Sequence, residues 1–367
     1  MKILFVLELF YPNIGGNERL FLSLGETLVQ QGHEVTVVTT KFRKELTTTE
    51  TYKGINIVRL PFKSRFAFTF LGAPGIIKYA RKADLIHTTS YNAAFPAWIA
   101  SKLCRKKAII TFHEVWGNLW FKLPYLNLIE RILFYTYERF ILFLGFKKFI
   151  AVSEYTRQCL IHAGINEKKV LRIYNGLNHS EYNSNKKNIH SKNNEFTYTY
   201  FGRLGNSKGI DILLEASEKF LKKKNRKFKI ISSDKPRKIY DVLRSWIKRN
   251  NLQDKVEFIQ HLPEKELFKH LSESNCVVIP SYSEGFCFAA AECIARGIPV
   301  IVSGKAALKE VVSGKFIKME TMSADGLYDA LLKAENSDFT TTAIRKFLLE
   351  DTVKNYLDVY SEMLEIQ

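Results

Sequence analysis

The sequence predicts an α/β protein built from two doubly wound units, and three observations carry that expectation. In the first half, short apolar runs alternate with helical stretches, the pattern of strand–helix–strand units around a parallel sheet. The same alternation starts again after residue 195. Between the two lies an Asn-, Ser- and Lys-rich stretch from Ser180 to Glu195 without periodicity, which reads as a linker. A chain of 367 residues is long enough for each unit to bury its own core.

The elements follow in order. Strands are expected at Ile3–Leu7, Glu34–Thr39, Ile55–Leu60, Asp84–Thr88, Ala108–Phe112 and Lys148–Val152. Glu18–Gln31 is expected to be a helix, because Leu20, Leu24 and Leu28 recur at helical spacing and Gly32 stops it. In the second half, Thr197–Phe201, Lys227–Ser232, Val256–Gln260, Cys276–Ile279 and Val300–Val302 read as strands, and Thr341 to Gln367 has helical composition. The expected limits are therefore 1–178 and 196–340 for the domains, 179–195 for the linker and 341–367 for a final helix. No short-period repeat is present.

Composition narrows the class. A hydrophobic content of 46% with 25% charged residues is that of a globular protein. Cys104, Cys159, Cys276, Cys287 and Cys293 form no C-x-x-C pair, so reduced thiols in a cytoplasmic setting are expected rather than a disulfide framework. No metal-ligand spacing occurs. The N-terminal Met1 to Leu7 run is interrupted by Glu8 and reads as a first strand rather than a signal peptide. Ile132 to Phe146, the nearest approach to a membrane span, is broken by Glu138 and Arg139.

The net charge of +18 is uneven: residues 1–175 carry 25 Lys and Arg against 12 Asp and Glu. No nucleic-acid-binding motif accompanies it, so nucleic acid is not an expected partner. From Trp116 to Phe149 the chain is both aromatic and basic. A core helix accounts for the apolar positions there. Reversible contact with an anionic membrane, at the inner face of the cell membrane, is a secondary expectation.

Chemistry concentrates in the second half. The strand Cys276–Ile279 ends in Pro280, Ser281 to Gly285 form a polar turn, and Phe286 to Arg296 reads as a helix closed by Gly297. A helix N-terminus at the carboxyl end of a parallel strand suits an anionic ligand, with the N–H groups of Gly285 and Phe286 as donors. Glu284 stands at the helix entrance and Glu292 about 10 Å further on. Two carboxylates flanking an anion site suit a hydroxyl-rich, phosphate-bearing ligand such as a nucleotide sugar. Upstream, Thr197–Phe201 runs into Gly202-Arg-Leu-Gly-Asn-Ser-Lys-Gly209, which places Arg203 and Lys208 on a strand-to-helix loop. Arg offers a planar fork to phosphate oxygens and Lys a point charge. In the first half, Gly15-Gly16 lies between a strand and a helix, where glycines let backbone approach an anion. His113 and Glu114 follow the strand Ala108–Phe112.

Phe201-Gly-Arg-Leu with Lys208-Gly209, Glu284 eight residues before Glu292, Tyr11-Pro-Asn-Ile-Gly-Gly16, Ala151-Val-Ser-Glu-Tyr-Thr-Arg157 and Ile173-Tyr-Asn-Gly176 occur in one order along the chain. In this the sequence resembles the family 4 retaining glycosyltransferases. The resemblance implies the GT-B fold: two Rossmann-like domains facing across a cleft, the first binding acceptor, the second binding the nucleotide sugar, and the last helix crossing back to the first. It implies a hexosyltransferase-type enzyme that moves sugar from a UDP- or GDP-linked donor to a polysaccharide or lipid-linked acceptor, without a cofactor or metal.

Under the resemblance each residue acquires a role. Arg203, Lys208 and the N–H groups of Gly285 and Phe286 would stabilise charge growing on the departing diphosphate. Glu284 would bind donor-sugar hydroxyls and Glu292 the ribose. Gly16 would meet donor phosphate or acceptor, and His113 would stand at the reaction centre. No nucleophilic carboxylate is evident, so retention would proceed by attack on the face the diphosphate leaves, with its oxygen taking the acceptor's proton. Three positions depart from the family pattern: Leu177-Asn178 after the Asn-Gly pair, Cys287 where Gly is common, and Ser232-Ser-Asp-Lys-Pro236 in place of a glycine-rich loop. A nucleotide-sugar epimerase and a non-catalytic sugar-nucleotide-binding subunit are the competing readings.

Overall fold

The structure, a computed structural model, describes residues 1–13, 15–178, 195–260 and 262–365, with backbone only for Glu264 and Lys265. The linker expected at 179–195, apart from Glu195, lies outside the described residues, as do Ile14 of the glycine turn and Gln367 at the end of the expected final helix. The chain forms two compact units. One comprises Met1–Trp120, Arg131–Gly176 and Phe347–Gln367; the other comprises Phe121–Glu130 and Leu177–Lys346.

The first unit is an eight-stranded sheet among the described residues. Its strands are β1 (Lys2–Val6), β2 (Glu34–Thr40), β3 (Thr49–Tyr52), β4 (Ile55–Leu60), β5 (Leu85–Thr89), β6 (Lys107–Phe112), β7 (Lys148–Ala151) and β8 (Val170–Arg172). Their order is β3-β4-β2-β1-β5-β6-β7-β8, all parallel except the β3–β4 hairpin. The central strands are rich in buried apolar residues because both of their faces are covered, whereas β3 at the edge is polar and largely exposed. Leu4 and Val6 of β1 enter one core with Ile86 and Ile110, while Ile3, Phe5 and Leu7 enter the opposite core with Val37 and Leu85. That division is the two-residue period of a strand buried on both sides.

The final helix, Leu349–Glu365, completes the second of these cores with Val353, Tyr356, Tyr360 and Met363. It is pinned by buried hydrogen bonds as well as by packing. Tyr360 Oη lies 2.6 Å from His87 Nδ1, His87 Nε2 lies 2.8 Å from Thr111 Oγ1, and Thr111 Oγ1 lies 3.1 Å from Tyr356 Oη. Burial, with the nearby His113 adding to it, lowers the pKa of His87 from its ordinary value to about 3, so the ring is neutral. Helical composition from Thr341 onward is misleading over its first turns. Thr340–Thr341 pair as a strand, Thr342 N–H donates to Gly314 O at 2.8 Å, Arg345 N–H donates to Ser313 Oγ at 3.0 Å, and the helix starts only at Leu349. A run of β-branched residues beside an unpaired sheet edge favours pairing over helix.

The second unit holds seven strands among the described residues: β9 (Phe196–Phe201), β10 (Arg226–Ile231), β11 (Val256–Ile259), β12 (Cys276–Ile279), β13 (Val300–Val302), β14 (Lys315–Lys318) and β15 (Thr340–Thr341). The order is β11-β10-β9-β12-β13-β14-β15, parallel except for β15. Chain progress runs one way from β9 to β11 and the other way from β12 to β14. The order therefore reverses between β9 and β12, the switch point where open α/β sheets bind ligands. The excursion Phe121–Glu130 belongs to this unit: Tyr125 packs on its core, and Lys238 Nζ donates to Tyr125 O at 2.5 Å.

Candidate active site at the switch point of the second sheet

The loops leaving β9 and β12 are bound to each other before any ligand is considered. Gly209 caps the helix Ile210–Phe220 at φ 65°, ψ 32°, a left-handed conformation in which a Cβ would lie 2.0 Å from Pro280 O. Only glycine lets the two loops approach so closely. Next to this contact, Tyr282 N–H donates to Ser207 O at 2.8 Å, and Tyr282 Oη donates to Asp211 Oδ2 at 2.6 Å. The two loops, 76 residues apart in sequence at Lys208 and Glu284, thus form one rigid rim.

On that rim Lys208 Nζ lies 2.9 Å from Glu284 Oε1 and 2.8 Å from Oε2. Glu284 is 8% exposed at its side chain and Lys208 24%, so the pair is shielded but still reached from solvent at the lysine. Ser281 Oγ donates to Glu284 Oε1 at 2.7 Å, which fixes the carboxylate from its other side. Ser281 is held in turn by Ser303 Oγ, which donates to Ser281 O at 2.6 Å, and Glu284 O accepts from Ala307 N–H at 3.2 Å. A lysine fixed against a carboxylate by a serine is a preorganised cation. Its charge can be shared with an incoming phosphate without a large rearrangement.

The other residues expected at this site take varied positions. Gly285 and Phe286 are buried in the turn that leads to the helix Phe288–Ala295. Glu292 sits on that helix and is only 2% exposed, so it is not a surface carboxylate. The Arg203 carbonyl accepts Tyr200 Oη at 2.7 Å, while its side chain is exposed and makes no ion pair among the described residues. The helix begins later than Phe286, because Cys287 adopts φ 78°, ψ 77° and caps it. A non-glycine residue held in the left-handed region at a buried turn carries backbone strain. Burial first, and the adjacent Glu284 next, push the Cys287 thiol well above its ordinary pKa, so it is not a thiolate. In the loop Ser232-Ser-Asp-Lys-Pro236, Ser233 Oγ donates to Lys235 O at 3.3 Å ahead of the helix Arg237–Arg249.

Gly16 and His113 belong to the first unit. Gly16 opens the helix Gly16–Gln30, directly after β1, whose neighbours β2 and β5 lie on opposite sides of the switch point of that sheet. Glu18 folds back over this helix start, with Asn13 Nδ2 donating to Glu18 Oε1 at 3.1 Å. The loop is anchored from below by Arg59, a fully buried guanidinium of β4 that donates to Tyr11 O at 2.8 Å and to Glu50 Oε2 at 3.0 Å, while Tyr11 stacks on Tyr52. His113 is half-buried at the carboxyl end of β6. The segment after it is fixed by Glu138, whose buried carboxylate accepts the N–H groups of Trp116 at 2.9 Å and Gly117 at 2.7 Å and the hydroxyl of Tyr91 at 2.8 Å.

Ser281, Arg59 and Glu138 are the supporting residues that the sequence did not disclose. Ser281 precedes Glu284 by three, a serine–glutamate spacing that was visible. Glu138 stood out as a charge inside an apolar run, a mark of a buried acceptor as much as of a broken membrane span. Arg59 left no local signal, because its partners lie 9, 12 and 48 residues away. Among the described residues, no three His, Cys, Asp or Glu side chains converge as a metal site, and no helix is long and apolar enough to cross a membrane.

Two protein-family models match almost the whole chain: Glycosyltransferase Family 4 over residues 14–181 and Glycosyl transferases group 1 over residues 182–347. An uncharacterised glycosyltransferase of Methanocaldococcus jannaschii is 28% identical over 85% of this chain and 83% of its own length. A GDP-mannose:cellobiosyl-diphosphopolyprenol alpha-mannosyltransferase of Xanthomonas oryzae is 24% identical over 100% of this chain and 98% of its own. Among solved structures, Anabaena HepE in complex with UDP-glucose superimposes with a TM-score of 0.78 at 18% identity, covering 99% of this chain and 100% of that one. At that identity the likeness shows the fold, and the fold is GT-B.

Proposed function

The chain belongs to the family 4 glycosyltransferases, enzymes that transfer sugar from a nucleotide sugar, and from that premise we propose that it is a retaining, hexosyltransferase-type enzyme. Its donor is a UDP- or GDP-linked sugar held by the second unit, and its acceptor is a growing polysaccharide or a lipid-linked glycan. The Xanthomonas relative, whose name couples GDP-mannose with a diphosphopolyprenol-linked acceptor, supports this choice of substrates. The Lys208–Glu284 pair, at the switch point and immediately before the helix Phe288–Ala295, is the observation that carries the reading.

In this reading the diphosphate lies against Lys208 and the turn of Gly285 and Phe286, with the exposed Arg203 supplying a second cation. Glu284 accepts hydroxyls of the sugar, and the buried Glu292 accepts those of the ribose. As the glycosidic bond breaks, the leaving oxygen gains charge that Lys208 and Arg203 offset, and no metal is required of these residues. The acceptor hydroxyl attacks on the face the diphosphate leaves and passes its proton to a leaving-group oxygen. Gly16 and His113 of the first unit keep the roles the family resemblance gives them, Gly16 towards donor phosphate or acceptor and His113 in the reaction.

A thermal-shift panel of UDP-, GDP- and ADP-sugars tests the donor, because a ligand bound only by the native state raises the melting temperature. A rise with one nucleotide class, together with sugar transfer to a lipid-linked or polysaccharide acceptor, is the expected result. Conversion of the free donor to an isomer without transfer would establish the epimerase instead. Donor binding without turnover on any acceptor would establish a non-catalytic subunit.

A further inference from the structure

One face of the first unit exposes large apolar side chains that its fold does not use. On the helix Leu128–Phe143, Ile132, Leu133, Phe140 and Phe143 are all exposed, Phe143 to 79% and Leu133 to 61%. At about 100° per residue these positions fall within one arc of roughly 100°. Glu138, Ile141 and Leu142, on the other side, are the buried positions of that helix. The short helix Arg65–Leu71 exposes Phe66 to 62% and Phe70 beside it on the same side, one turn on. The two helices are joined by Phe95, whose ring meets Phe70 at 6.2 Å and Phe140 at 5.3 Å between centroids. The exposed residues therefore form one continuous apolar face, where a monomeric protein ordinarily shows them singly.

The charge around this face is predominantly positive, although Arg65 on the short helix pairs with Glu8 at 3.3 Å and Glu130 stands in the first turn of the longer one. Arg139 lies over the Phe143 ring at 5.8 Å, and Lys102 lies over Trp98 at 5.9 Å and reaches within 3.9 Å of where a Cβ on Gly145 would stand. Lys63 and Lys147 are exposed close by in sequence. The helices Arg65–Leu71 and Ala94–Leu103 contain no acidic residue, and the only one between residues 131 and 143 is Glu138, which is turned inward. We infer that this face docks on an anionic lipid surface, with the apolar side chains entering the headgroup–acyl boundary and the flanking cations meeting lipid phosphates. The helix lies in the plane of such a surface rather than across it, since no helix among the described residues can span. Charge complementarity favours lipid over a protein partner, because cations predominate around the apolar stripe.

Flotation of the full chain with phosphatidylcholine vesicles, and with vesicles mixing phosphatidylcholine and phosphatidylglycerol, tests the inference. Binding to the anionic vesicles that weakens with added salt is expected, with much weaker binding to the neutral ones. The triple variant Phe66→Ser, Leu133→Ser, Phe143→Ser changes exposed positions and is expected to lower anionic-vesicle binding by more than tenfold while keeping the melting temperature. Lys63→Glu with Lys102→Glu is expected to remove the salt-sensitive part of the binding. Equal binding to both vesicles, or binding untouched by the triple variant, would overturn the proposal. So would a concentration-dependent dimer that the triple variant abolishes, because the face would then be a protein interface.

Discussion

Lys208 Nζ stands within 2.9 Å of both oxygens of Glu284, although the two residues leave different strands and are 76 positions apart. The pair has two consequences that can be separated. It holds the β9 and β12 loops together, and it positions the cation assigned to the leaving diphosphate.

Lys208→Met leaves a buried carboxylate with Ser281 as its remaining partner at this rim. A loss of about 2–3 kcal/mol is expected, somewhat below the range for fully buried pairs because Lys208 is partly exposed. Adding Glu284→Gln removes the unpaired charge and is expected to restore most of the stability. Transferase activity should stay reduced by about a hundredfold or more in the single and the double variant. A double variant that regained both stability and turnover would reduce the pair to a structural clamp.

Gly209→Ala combines a positive φ with a Cβ driven into Pro280 O. Denaturant titration should show a cost of about 2–4 kcal/mol. Donor affinity should fall with it, since the approach of the two loops creates the rim. Wild-type stability in this variant would mean that the loops do not meet as described.

Cys287 tests how much strain the turn before the helix Phe288–Ala295 stores. Cys287→Gly relieves the left-handed strain but loses a buried thiol, so a change within about 1 kcal/mol is expected. Cys287→Val adds a β-branched side chain at the same φ and is expected to cost about 2 kcal/mol or more. Melting curves of the two variants should therefore separate clearly, and indistinguishable curves would argue against the left-handed conformation.

His87 gives a pH signature. Its folded pKa, about 3, lies below the ordinary value of 6.5, so in the interval between them the unfolded chain binds a proton that the folded chain does not. Stability therefore falls as pH drops from about 6.5 towards 3, by several kcal/mol in total. His87→Asn should be less stable at neutral pH, having lost hydrogen bonds to Tyr360 or Thr111, yet show a shallower acid slope. An unchanged slope would place the acid sensitivity elsewhere.

The alternation of apolar runs and helical stretches was sufficient to determine the class of fold, because local burial on both faces of a strand writes a continuous apolar run into the sequence. Arg203, Lys208, Glu284 and Glu292 stood out as candidates for a related reason: residue type and spacing mark the strand-to-helix segments on which they stand. The sequence could not supply the strand order, which depends on pairings such as β9 with β12 that join residues some 78 positions apart. Nor could it show that Lys208 is paired while Arg203 is exposed, that Cys287 bends the turn, or that Tyr360 reaches back to His87. Such contacts are made by side chains distant along the chain, and only the packed core brings them within hydrogen-bonding range.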